Sequence, residues 1–311
     1  MKKCTVIYNP HSGKKNKTKF LDKFEKILKE YNYEVNFITS KYRGNIIEIV
    51  SELPDTTDLV ISLGGDGTFN ESMRGNFKRK KRLVLAHIPM GTTNDVGKMF
   101  GYGKNIVKNL RLLMEGTVKN IDICTLNGEP FVYVAGFGKF MNIPYETSRK
   151  SKKKLGYFAY LLNAVKNFLK ITTFHDITYT IDGEEYNGLY SFMFVANATR
   201  IAGVSNIFED VKLNDNKFEI LFCNIKKRKD ILRTFYYLRK TDISHVPGFY
   251  FHKTSSVKIR VNDERKISWC VDGEKLDIDS EEVEIKVDRN VRIMIPNKNI
   301  DKLFIKSKTK K

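Results

Sequence analysis

The chain is poor in the residues that staple small folds or wrap extended ones. Its four cysteines, at 4, 124, 223 and 270, show no CxxC spacing. That argues against a structural zinc site and a disulfide framework, and suits a reducing compartment. Seven prolines and 20 glycines in 311 residues exclude collagen-like and low-complexity classes. No apolar run approaches the ~18–20 residues of a membrane span. The nearest, Leu155 to Leu169, is broken by Asn163, Lys166 and Asn167. The opening MKKCTVIYNP holds an apolar stretch too short for a signal-peptide core. Acidic residues are also scarce: 36 against 55 Lys plus Arg, a formal charge of +19. The imbalance favours a polyanion or an anionic surface, meaning nucleic acid, nucleotide or acidic lipid. The expectation is a soluble, cytoplasmic chain that meets a membrane without crossing it.

What is present reads as globular, with 41% hydrophobic and 29% charged residues. At roughly 150 residues per domain the length suits two domains. The first third alternates strand and helix. Thr5 to Tyr8, Val35 to Thr39, Leu59 to Leu63 and Leu83 to Ile88 read as strands; Lys19 to Tyr31, Ile46 to Leu53 and Asn105 to Glu115 read as helices. Strands separated by helices imply a doubly wound, Rossmann-like three-layer α/β domain over residues 1–120. After residue 120 the texture turns to β. Expected strands are Ile121 to Leu126, Pro130 to Ala135, Ile177 to Ile181, Tyr190 to Asn197, Lys217 to Cys223, Ser256 to Val261, Ile267 to Val271 and Val283 to Val287. Only two helical stretches, about 152–170 and 228–240, interrupt them. Residues 121–294 therefore read as a β-sandwich, and 295–311, through Leu303 to Ile305, as a return to the first domain.

Three polar, glycine-bearing loops follow strands of the first domain. Gly64-Gly65-Asp66-Gly67-Thr68-Phe69-Asn70-Glu71 follows the third strand and leads into a helix. Glycine lets backbone approach a ligand closely, and amides at the next helix start can hold a phosphate. A tight turn with an Asp cap is the plainer alternative. Pro89-Met90-Gly91-Thr92-Thr93-Asn94-Asp95 follows the fourth strand, and Asn9-Pro10-His11-Ser12-Gly13 the first. Open α/β sheets bind ligands at the carboxyl ends of their strands, so the three loops converge on one crevice. No GxxxxGK[ST] motif and no protein-kinase signature set is present.

NPxSG, GGDGTxxE and GTxND, in this order and spacing, resemble the diacylglycerol kinase catalytic-domain family, which includes soluble bacterial lipid kinases and the sphingosine and ceramide kinases. The resemblance runs to Asp272-Gly273-Glu274. It implies transfer of the γ-phosphoryl of ATP to a lipid hydroxyl, most directly that of diacylglycerol to give phosphatidic acid. The active site would lie in a cleft between the α/β domain and the lipid-substrate β domain. Asn9, Ser12, Gly13 and Thr39 would touch the nucleotide, and Gly65, Asp66, Gly67 and Thr68 would line its phosphates. Thr93 would add a hydroxyl, and the nucleotide set extends to Gly64, Asn70, Glu71, Gly91, Thr92 and Asn94. Asp66 and Asp95 would organise catalytic Mg2+, and Glu274 would be the base. The plain alternative for Glu274 is a solvated hairpin residue, since Asp182-Gly183-Glu184 repeats the tripeptide in what reads as an ordinary hairpin. The bacterial members also hold a structural magnesium near PxAxxxDGxL. The matching stretch, Phe208 to Phe218, would offer the Asp215 carboxylate and the carbonyls of Lys212 and Lys217. It lacks the proline and has Asn216 for the glycine, and Asn tolerates the left-handed turn.

Basic clusters stand at Lys78 to Arg82, Arg149 to Lys154, Lys226 to Lys229 and from Lys302 onward. Arg149 to Lys154 precedes the aromatic stretch 155–162, a pairing that suits an anionic bilayer surface. The expected partners are ATP, a lipid alcohol, the inner face of a membrane as a peripheral contact, and a second copy of the chain. Nucleic acid is not expected, since no zinc finger, RRM signature or helix-turn-helix is present. An NAD kinase-like enzyme, which shares the GGDG loop, is the alternative, along with kinases acting on ceramide, sphingoid bases or phosphatidylglycerol.

Overall fold

Short β-branched runs flanked by amphipathic helices settle into a parallel sheet. In the computed structural model, residues 1–10, 20–138, 173–201, 204–205, 208, 210–226, 230, 246–263 and 267–305 are described. The chain divides into two units, Met1–Ile123 with Arg289–Lys311, and Cys124–Asp288. The first begins β1 (Lys2–Tyr8), α1 (Leu21–Glu30), β2 (Tyr33–Thr39), α2 (Asn45–Glu52), β3 (Leu59–Gly64) and α3 (Asp66–Phe77). It continues with β4 (Leu85–Pro89), α4 (Asp95–Met99), α5 (Ile106–Met114) and the start of β5 (Thr117–Leu126).

The parallel order is β2-β1-β3-β4. Every residue of β3 and β4 is buried, so both faces of the sheet are covered. Phe24, Ile27 and Leu28 form the buried stripe of α1, at the i, i+3, i+4 spacing that one helix face requires. α1 packs with α5 and α2 with α3. The Asn105 side chain accepts the Val107 and Lys108 amides and so starts α5.

The second unit is antiparallel. It holds β6 (Glu129–Phe131), β7 (Val134–Gly138), β8 (His175–Ile181), β9 (Glu184–Tyr190), β10 (Phe192–Ala196), β11 (Arg200–Ile201) and β12 (Val204–Ser205). Then come β13 (Phe218–Cys223), β14 (Phe249–Thr254), β15 (Ser256–Val261), β16 (Ser268–Val271), β17 (Glu274–Asp277) and most of β18 (Glu282–Ile295). One sheet runs β18-β15-β8-β9, the other β14-β13-β10-β7-β16-β17. Ile177, Tyr179, Val257, Ile259 and Ile285 from the first meet Phe137, Val195, Ile220, Phe222 and Trp269 from the second in one core. Tyr179 stacks on Phe222 with ring centres 3.9 Å apart. These two layers are a sandwich. The end of β18 lies in the first unit, where Ile293 pairs in parallel with Leu85, and α6 (Ile300–Leu303) follows.

Two expectations change. Pro130 to Ala135 is two strands, because the Asp272 carboxylate draws the chain out of its ladder. It accepts the amides of Val132 (2.6 Å), Tyr133 (3.0 Å) and Val134 (3.1 Å). β9, β14 and β17 are additional strands, each at the end of a sheet. The helices expected at about 152–170 and 228–240 fall outside the described residues, apart from Asp230.

Asp272 is buried, and hydrogen bonds to a charged acceptor contribute more than neutral ones. Asp272→Ala leaves three amides without their acceptor. It is expected to lower the unfolding free energy by about 3 kcal/mol or more, measured by urea titration. A loss under about 1 kcal/mol would show that water replaces the carboxylate there.

Candidate active site

The strand order reverses between β1 and β3, so the crevice rule for open α/β sheets points to their carboxyl ends. Backbone bonds align the loops there. Asn9 N donates to Leu63 O (3.2 Å), Ser40 N to Tyr8 O (2.9 Å) and Met90 N to Gly64 O (2.5 Å). Asn9 Nδ2 reaches Thr68 Oγ1 at 3.3 Å, tying the loop after β1 to the first turn of α3. Thr39 ends β2 in register with Tyr8 and is exposed.

Asp66 joins the loops after β3 and β4. Its Oδ2 accepts the Asp95 amide at 3.0 Å and its Oδ1 the Val96 amide at 3.2 Å. Asn94, the N-cap of α4, supplies no side-chain cap, so the carboxylate that caps α4 comes from 29 residues upstream. The two loops touch through glycine: a Cβ on Gly91 would lie 2.8 Å from Gly65 Cα, and one on Gly64 2.2 Å from Thr68 Oγ1. Asn94 adopts φ +52 and donates its Nδ2 to Gly91 O at 2.9 Å. Its Oδ1 is buried with no hydrogen-bond partner among the described residues. Thr92 and Thr93 are exposed beside it, while Asp95 is buried. Asn70 and Glu71 follow on α3, half-buried.

The structure therefore brings Asn9, Thr39, Gly64 to Glu71 and Gly91 to Asp95 to one edge of the first unit. Ser12 and Gly13 lie outside the described residues. Glu274 belongs to the second unit, exposed at the start of β17. A backbone that only glycine can supply and the start of a 12-residue helix fit a polyphosphate. Among the described residues no three His, Cys, Asp or Glu side chains form a metal cluster. Magnesium characteristically binds through one or two carboxylates plus substrate phosphates, and Asp66 is a carboxylate at this edge, each oxygen having two lone pairs and accepting one amide.

The segment implied as a structural magnesium site is arranged differently. Asn216 does adopt the left-handed turn, at φ +63. The Asp215 carboxylate, however, is already engaged: Oδ1 accepts the Lys217 amide at 3.1 Å and Oδ2 lies 2.9 Å from Lys253 Nζ. The Lys212 ammonium pairs with Asp210 at 3.0 Å. The Asp215 carboxylate thus already faces a cation, the Lys253 ammonium, on the side of its Oδ2.

Residues 3–126 match the model of the diacylglycerol kinase catalytic domain. This span is similar to a diacylglycerol kinase catalytic domain. The whole chain is 27% identical over 309 residues to a diacylglycerol kinase of Bacillus subtilis, covering 97% of this chain and 99% of that one. It is 28% identical over 277 residues to one of Staphylococcus carnosus, covering 88% and 89%. Two crystal structures from Bacillus anthracis share the fold. Their TM-scores are 0.81 and 0.77 at 23% and 24% identity, covering 95% of this chain and 96% and 98% of those chains.

His87, beneath the glycine loop that follows β3, was not singled out by the sequence. It is fully buried in β4, with Nδ1 3.1 Å from Ser62 Oγ and its ring 5.1 Å from that of Phe69 in the first turn of α3. Only its place after the apolar Leu-Ala pair of a strand hints at burial. Burial pushes its pKa down to about 3. The unfolded chain binds a proton at this histidine below its ordinary value of ~6.5, and the folded chain does not. The stabilisation is thus present above that value and is lost as pH falls toward about 3. Stability is expected to drop by up to about 1.4 kcal/mol per pH unit in that window, and by less in His87→Asn. Equal slopes in chemical denaturation at pH 6 and 4 would contradict this.

Proposed function

We propose that this chain is a lipid kinase that transfers the γ-phosphoryl of ATP to a lipid hydroxyl, with diacylglycerol as the first acceptor and phosphatidic acid as its product. The observation that carries this reading is the Asp66 clamp, which sets two glycine loops against each other at the switch point of the sheet. Phosphoryl transfer needs positioning and charge neutralisation more than covalent chemistry. The loop backbone and the α3 N-terminus would receive the phosphates, with Thr68, Thr93 and Asn9 as polar neighbours. Magnesium, when bound with ATP, supplies charge neutralisation at the phosphates. Asp66 is the group on this chain that would hold it, with Asp95 behind.

Glu274 is the proposed base. The lipid O–H bond breaks and its proton passes to the Glu274 carboxylate. The lipid oxygen bonds to the γ-phosphorus, and the bond from that phosphorus to the bridging oxygen breaks to release ADP. A lipid alcohol is a very weak acid, so an accepting carboxylate matters in the transition state. Relatives named diacylglycerol kinase across nearly the whole chain support this acceptor.

The test is transfer of labelled γ-phosphate from ATP to diacylglycerol, ceramide, sphingosine and phosphatidylglycerol in mixed micelles, with NAD as the soluble acceptor. Label in diacylglycerol is expected; label in NAD alone would overturn the reading. Glu274→Gln is expected to lower turnover by roughly 10²–10⁴-fold with ATP affinity little changed, and normal turnover would remove the assignment.

A peripheral membrane contact is part of the proposal. Lys78, Lys80 and Lys81 are exposed, and each basic residue at an anionic surface contributes about 1 kcal/mol. Arg79 does not belong to that face. Its side chain is 4% exposed, and it donates to the carbonyls of Val50, Ser51 and Leu53 at the end of α2. Among the described residues no helix is long and apolar enough to cross a membrane. The protein is expected to sediment with anionic vesicles at low salt and to release at high salt, less so after replacement of the three lysines by serine. Equal binding to neutral vesicles would contradict the electrostatic part.

A further inference from the structure

Strand β13 is buried at all six positions, yet its second residue is Glu219, 1% exposed. A buried carboxylate is costly unless a partner meets it. Its cross-strand neighbour on β14 is Lys253. The Lys253 ammonium contacts three oxygens: Asp215 Oδ2 at 2.9 Å, Glu219 Oε1 at 3.2 Å and the carbonyl of Asp210 at 3.2 Å. An ammonium has three protons and no lone pair, so three acceptors satisfy it. All three lie within hydrogen-bond range, the Asp215 contact being the shortest. The contacts tie the 210–217 segment, the buried strand β13 and the end strand β14 together.

We propose that the Lys253 ammonium permanently takes the place of a divalent ion at Asp215, so that this segment is held by an internal cation and binds no metal there. A lysine in this position makes the turn independent of metal supply. Divalent ions then interact with the chain only where phosphates accompany them. This inference is separate from the kinase reading, because its test reads stability and metal density and not turnover.

The full-length protein is melted in EDTA and in Mn2+, as wild type, Asp215→Asn and Lys253→Met, and wild-type crystals are soaked in Mn2+ for anomalous density. Both variants are expected to melt roughly 5 °C or more below wild type in EDTA itself. Any effect of Mn2+ on melting should be the same in wild type and Asp215→Asn, and no anomalous peak should lie at Asp215. A peak there overturns the proposal. So does a Mn2+-dependent rise in melting temperature that Asp215→Asn abolishes, or variants as stable as wild type in EDTA. If Lys253→Met does not fold, Asp215→Asn and the soak decide the outcome.

Discussion

Everything at the carboxyl edge of the parallel sheet depends on the two amides held by Asp66. The loops after β3 and β4 are separated by a helix and a strand, and only local packing would otherwise set their spacing. One carboxylate accepting Asp95 N and Val96 N fixes it. The Gly65–Gly91 approach follows, because a Cβ on Gly91 would collide with Gly65 backbone. Interactions of an ionised acceptor with amides are stronger than neutral ones, and partial burial raises their weight. In the proposed function this spacing would preorganise the loop amides, and preorganised dipoles stabilise developing charge most effectively. His87 and Phe69 act from below by setting where α3 starts on the sheet.

The second unit uses the same device more heavily. Asp272 holds three consecutive amides, and this breaks one expected strand into β6 and β7. The tripeptide Asp-Gly-Glu occurs twice, and both copies make the same turn, with φ +52 and +87 at Asp182 and Gly183 and φ +49 and +86 at Asp272 and Gly273. Local sequence and local geometry are therefore equal. The tertiary partner separates them: Asp182 receives the Thr254 hydroxyl, while Asp272 is locked to a neighbouring chain segment. Glu274 follows a residue anchored in the core, and Glu184 follows one held by a single hydroxyl. If Glu274 is the base, as proposed, it gains from a rigid support of this kind.

The fold class was legible where burial is two-sided. β3 and β4 read as continuous apolar runs because both faces of the sheet are covered. β8, β13 and β15 were found for a related reason, since their inward residues fill the sandwich core. The missed strands β9, β14 and β17 are end strands with largely exposed or half-exposed side chains, so no alternation marks them. The glycine loops were legible as loops because glycine at strand ends has few other uses. The clamp was not. The sequence marks Asp66 as a candidate to hold magnesium, and nothing in its neighbours shows that its oxygens also accept amides 29 and 30 positions later. Lys253 was equally silent, because a lone lysine in a strand reads as solvated until its three oxygens are seen.

A net charge of +19 invites a single explanation, an anionic partner, and the structure divides it. Within the one run Lys78 to Arg82, exposed lysines alternate with an arginine whose guanidinium closes the end of α2. Arginine suits that task because its planar fork reaches several carbonyls at once, whereas lysine remains a hydrated point charge. Lys253 departs from that rule only because two carboxylates and a carbonyl replace its water. Counting cations along the sequence therefore overstates the field available to a membrane or nucleotide. Charges that satisfy carbonyls or buried acids are largely neutralised by their own partners and add little at a distance. The surface potential that steers a partner arises from the lysines left over after the fold has met its internal demands, and it is these that salt screens.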